Sequence, residues 1–158
     1  MIIKRMILPF IIVILALPLI FQCNVKKENN NISAKDINDI VAAYFAAVRA
    51  MDMEAWIATF ADNAVSYDPV GAPPYKGHKR LRQLFQAINE TFAEIEIRED
   101  NVFIAGNRAA VKWTCQGVGK NDRQVSFEGI DVFEINKDGK IQTIWAYWDP
   151  SVMLSALR

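Results

Sequence analysis

Three features of the 158-residue chain predict an α+β fold. Apolar residues recur at helical spacing in the first half, between Ile37 and Phe92. From Ala93 onward the apolar period becomes two, the signature of half-buried strands. Between these regimes runs Tyr67-Asp68-Pro69-Val70-Gly71-Ala72-Pro73-Pro74-Tyr75-Lys76-Gly77, whose prolines remove backbone donors and whose glycines permit sharp turns, so it is a rigid loop. The expected architecture is three N-terminal helices packed in a strongly curved mixed or antiparallel sheet, a single domain over residues 33–158.

Before that domain, Lys4 and Arg5 precede an uncharged apolar run from Met6 to Phe21. The run is short for a membrane span and has a positive start, which reads as an export signal over residues 1–22. It ends in Leu19-Ile20-Phe21-Gln22-Cys23, which resembles the box of bacterial lipoproteins, with Gln22 where a small residue normally stands. That similarity implies lipidation of Cys23 and an exported protein anchored to the membrane of a bacterial envelope; an uncleaved anchor helix and plain secretion are the alternatives. Residues 23–32, with three asparagines in a row, form a polar tether. Without residues 1–22 the chain has 16 basic and 18 acidic residues, a net charge of −2. That balance offers no footprint for nucleic acid. With Cys23 used by lipid, Cys115 has no partner, so no disulfide framework is expected.

Ser33 followed by Asp36 is a helix-start signature, and Ile37, Ile40, Val41, Tyr44, Phe45, Val48 and Met51 mark the apolar face that follows. Asp52 caps a second, short helix through Trp56, Ile57 and Phe60. Asn63–Tyr67 is a short strand leading into the proline loop, where Asp-Pro alone would signal no more than a turn. A third helix after Gly77 carries Leu81, Leu84, Phe85, Ile88 and Phe92. Ile95 and Ile97 open a strand that runs to Ile104 and turns at Gly106-Asn107. Ala109, Val111, Trp113 and Cys115 alternate with polar or small neighbours in the next strand. Val125–Ile135 follows, then the hairpin signal Asp138-Gly139 and a last strand, Ile141–Trp148.

One residue breaks this pattern. In the strand Val125–Ile135 the apolar parity holds Val125, Phe127, Gly129, Asp131, Phe133 and Ile135. Period two points Asp131 into the core with them, unless a bulge or slipped register turns it to water. A buried carboxyl must be paired, hydrogen-bonded or protonated, and this face of the strand has no Lys or Arg.

Tyr44, the loop Asp68-Pro69-Val70-Gly71, and Gly129-Ile130-Asp131-Val132-Phe133 before Asp138-Gly139-Lys140-Ile141 together resemble the bacterial ketosteroid isomerases. These belong to the cone-shaped fold of nuclear transport factor 2 and the polyketide cyclases. The intervals of 24 residues from Tyr44 to Asp68 and 63 from Asp68 to Asp131 agree with the family's. The resemblance spans about residues 34–150 and implies a homodimer that shifts a double bond in a hydrophobic unsaturated ketone without metal or cofactor. By the family's roles Asp68 is the general base, while Tyr44 and a protonated Asp131 form the oxyanion hole; a carboxylic acid kept neutral by an apolar site is the family's own device. Phe60 and Phe85 stand where the family has supporting tyrosines, and with Trp148 are the expected substrate contacts. Trp148 fits a pocket wall and plain core packing equally well. Phe103, Trp113 and Phe127 read as core or pocket wall, and His78, opening the third helix, as a surface residue. Two other functions fit the same pattern: a polyketide-cyclase-like reaction, or a non-catalytic protein holding a lipid or other small molecule.

Overall fold

A computed structural model describes residues 32–158; the expected export signal, Cys23 and nearly all of the expected tether lie outside the described residues. Helix α1, Ala34–Arg49, starts as expected: Ser33 and Asp36 form a reciprocal capping box. Its stripe of Ile37, Val41, Tyr44, Phe45 and Val48 is buried. Asp52 caps α2, Met53–Ala58, by accepting from the Ala55 amide. Strand β1, Phe60–Tyr67, is longer than the sequence suggests, and a two-residue strand β2, Tyr75–Lys76, returns beside it after the proline loop. Helix α3 covers Gly77–Thr91 and buries Leu81 and Phe85.

Four long strands follow: β3, Phe92–Ala105; β4, Arg108–Gly119; β5, Gln124–Ile135; and β6, Ile141–Trp148. Neighbouring members of this set pair antiparallel, but β1 pairs parallel to β6, so the sheet is mixed, in the order β2-β1-β6-β5-β4-β3. Helices α1 to α3 pack on its inner face around a core that includes Trp56, Phe45, Phe85 and Phe133.

The structure adds one element and moves one residue. A fourth helix, α4, spans Pro150–Leu157, capped by Asp149 with Pro150 in its first turn. Asp-Pro is a legible helix start, but α4 buries no residue fully and so carries no strong apolar stripe. Phe103 is neither core nor pocket wall; it is 68% exposed. The register of β3 against β4 shifts between Glu99 and Asn101, leaving Asp100 as an extra residue. The bulge inverts the parity that buries Ile97, so Val102 and Ile104 turn inward and Phe103 outward.

Candidate active site

Residues far apart in the chain converge on one cavity of about 280 Å³ between the inner face of the sheet, α1 and α3. Its wall is mainly apolar, with Leu84, Ile88, Ile95, Ile97 and Phe127 among its members. Tyr44, Asp68 and Asp131 all line it, and among the described residues no Lys or Arg does. Pro150 and Met153 bring α4 to the rim.

Each polar group is placed by a separate piece of local structure. Tyr44 lies in the buried stripe of α1, its ring 5.1 Å from both Phe45 and Phe133 by centroid and 5.9 Å from Phe60. Asp68 directly follows β1, and the loop it opens is tied down by the Val70 amide donating to the Ala146 carbonyl of β6 at 2.8 Å. Gly71 turns the chain with φ +100°, a conformation that favours glycine. Asp131 faces inward on β5, 4% exposed, between Val111 on β4 and Ala146 on β6. The β4–β5 register runs without a shift past Asp131, so no bulge turns it to water.

Trp148 is on the cavity wall, and its indole N–H donates to Asp68 Oδ1 at 2.7 Å. Phe60 and Phe85, expected as substrate contacts, are not among the residues that line the cavity. Both are fully buried behind Tyr44, packed on Trp56 at 4.6 and 5.0 Å, because β1 and α3 turn those side chains toward the helical core. Trp113 and Phe127 line the cavity and stack edge to face, 5.8 Å apart.

Electrostatics separates the three groups. Burial, then the nearby Asp68 charge, pushes the Asp131 carboxyl well above the ordinary carboxylate range, and Trp113 opposes the rise only in part. Burial also raises Asp68, with the Trp148 hydrogen bond acting against it. Burial and the two carboxyls hold the Tyr44 phenol well above its usual value, so it stays a hydrogen-bond donor. Cys115, also on the wall, is pushed up to about 12 and has little thiolate to offer as a nucleophile. Among the described residues no three His, Cys, Asp or Glu side chains gather as metal ligands. The arrangement can therefore move a proton at one carboxyl while two O–H donors face developing negative charge, in an apolar enclosure.

The family profile of the SnoaL-like domain matches residues 41–144. The chain is 29% identical over 119 residues to a steroid delta-isomerase of Nocardioides simplex, covering 75% of this chain and 94% of that protein. Among solved structures it is similar to SalBIII, an epoxide hydrolase/cyclase-like enzyme in pyran ring formation in polyether salinomycin. That match has 26% identity and a TM-score of 0.67, covering 75% of this chain and 94% of the other. An LEH-like epoxide hydrolase of M. tuberculosis (23% identity, TM-score 0.65, 78% and 90% covered) shares the fold. So does a candidate polyketide cyclase of Xanthomonas campestris (18% identity, TM-score 0.69, 78% and 98% covered).

Proposed function

Because the chain belongs to the SnoaL-like domain family, whose cavity serves varied chemistry, we propose that it is an isomerase shifting a double bond in a hydrophobic β,γ-unsaturated ketone. The observation that carries this reading is the convergence of Tyr44, Asp68 and Asp131 on one apolar cavity whose wall, among the described residues, holds no Lys or Arg. Asp68 takes a proton from the carbon between the carbonyl and the double bond. Tyr44 and neutral Asp131 donate to the carbonyl oxygen as it becomes an enolate. Asp68 then returns the proton at the far carbon of the conjugated system, so atoms and charge balance without a cofactor. Trp148 holds Asp68 in place through its N–H, and the raised pKa makes Asp68 a stronger base than a free aspartate once ionised. The likeness to the steroid delta-isomerase supports a fused-ring ketone as substrate.

The proposed protein is exported and membrane-anchored through Cys23, and works as a homodimer. A second reading is favoured by the likeness to SalBIII: the same base and donors would activate a hydroxyl or water for opening an epoxide. Purified residues 24–158 incubated with a 5-ene-3-ketosteroid decide between them. Rising ultraviolet absorbance from the conjugated 4-ene product, lost in Asp68→Asn while a planar phenolic steroid analogue still binds, supports the isomerase. Analogue binding without turnover points to the binding-protein alternative, and consumption of an epoxide by a protein inert to the ketone points to the second reading.

A further inference from the structure

The isomerase reading leaves three polar atoms around the oxyanion site without a role. Trp56 Nε1, Trp113 Nε1 and Asp131 Oδ1 are buried and lack a hydrogen-bond partner among the described residues. An orphaned buried donor costs about 1–3 kcal/mol, so two of them beside one site call for a functional explanation.

Their placement is specific. Trp113 on β4 lies opposite Gly129 on β5, and Asp131 is two residues further along β5 on the same face. A Cβ at Gly129 would come within 2.5 Å of Trp113 Cζ2 and 2.9 Å of Cε2, the atom bonded to the indole nitrogen. The indole thus lies flat across the glycine, within reach of its diagonal neighbour Asp131. On the other side of Gly129 stands Trp148, which already gives its N–H to Asp68. Trp56 occupies the equivalent post behind Tyr44, with ring centroids 5.8 Å apart, against Phe60 and Phe85, the two positions where the resemblance expects tyrosines.

We propose that Trp113 and Trp56 are positioning residues of the oxyanion site: with the substrate oxygen bound, Trp113 donates its N–H to Asp131 Oδ1, and Trp56 donates to the Tyr44 hydroxyl oxygen. This rests on the isomerase reading and deepens it. An indole N–H can donate but never accept, so it cannot compete with the substrate for the proton of either partner. Donation to Oδ1 leaves the acid proton on Oδ2, aimed at the carbonyl. A hydroxyl that accepts one hydrogen bond donates a stronger one. Each reactive oxygen group then has its own indole: Trp148 for Asp68, Trp113 for Asp131, Trp56 for Tyr44. Both indole N–H groups already lie close enough to their neighbours to counter part of the rise that burial imposes on Asp131 and Tyr44, although neither pair meets hydrogen-bond geometry.

Trp113→Phe and Trp56→Phe remove the N–H but also volume. Replacing either residue by 3-benzothienylalanine, which has sulfur in place of N–H in a ring of the same shape, removes the donor alone. With the ketosteroid, each benzothienyl protein is expected to lose about tenfold in kcat with KM changed less than about twofold. A second readout needs no turnover: the ultraviolet spectrum of a bound phenolic steroid analogue reports its ionised fraction, which should fall in both variants. Unchanged kcat together with an unchanged phenol spectrum overturns the proposal. If the wild type leaves the ketone unconverted, the isomerase reading falls and the phenol spectrum alone decides: a fall supports the indole role, no fall overturns it. A wild type that neither converts the ketone nor binds the phenol overturns both.

Discussion

Asp131 is the residue on which the site turns. Its carboxyl is buried among apolar neighbours with no cation on the cavity wall, so folding favours its neutral form. Linkage gives the consequence for stability. Above the unfolded pKa the native state holds a proton that the unfolded state has lost, so stability falls as pH rises toward the folded pKa, then levels. Asp131→Asn removes that loss while keeping shape. The variant should be more stable than the wild type at pH 7 by about 1 kcal/mol or more, with the difference vanishing near pH 3, as read from urea midpoints. A difference of equal size at both pH values would show that Asp131 is not held neutral. Tyr44→Phe keeps the ring packing on Phe45 and Phe133 and deletes one donor. Its kcat should drop roughly 10²- to 10³-fold, the usual cost of losing an oxyanion donor, and a smaller loss than twofold would remove Tyr44 from the mechanism.

Among the elements, β5 carries the heaviest geometric demand. It sets Asp131 between Val111 and Ala146, and its Gly129 sits between Trp113 and Trp148 in the cross-strand row. A Cβ at Gly129 would also come within 2.8 Å of the Tyr147 carbonyl, a backbone atom that cannot rotate away. Gly129→Ala should therefore lower stability by about 1–3 kcal/mol through overpacking. Thermal unfolding would show it, and a melting temperature equal to wild type would mean that the strand accommodates the methyl. Helix α4 makes the opposite case. It buries nothing fully, yet lends Met153 to the cavity rim. Met153→Ala should raise KM for the ketosteroid severalfold and leave stability within about 0.5 kcal/mol, as for other surface changes. A large stability loss with unchanged KM would make α4 a structural element alone.

For the whole molecule, the proposed anchor and the SnoaL-like domain are separate along the chain. Fatty-acid labelling of cells making the wild type but not Cys23→Ser would support the anchor, and equal label in both would refute it. Much of the domain was legible in the sequence, because local rules set it: the Ser33–Asp36 box, the stripe of α1, the Asp52 cap and the period-two strands need only neighbours. The inward setting of Asp131 followed from parity alone, and the structure buries it. Parity failed at Phe103, since a bulge is a property of two paired strands and leaves little trace in either one. The sequence also suggested Phe60 and Phe85 as pocket residues, whereas packing turns them onto Trp56. What the sequence determined by itself is the three N-terminal helices, the long strands and the identity of three oxygen-bearing side chains at spacings that match a known family. What only the tertiary structure decided is their meeting in one cavity and the three indoles beside them. Trp56, Trp113 and Trp148 are read in the sequence as apolar packing residues, and the direction of an N–H exists only once strand register and helix packing have fixed the ring.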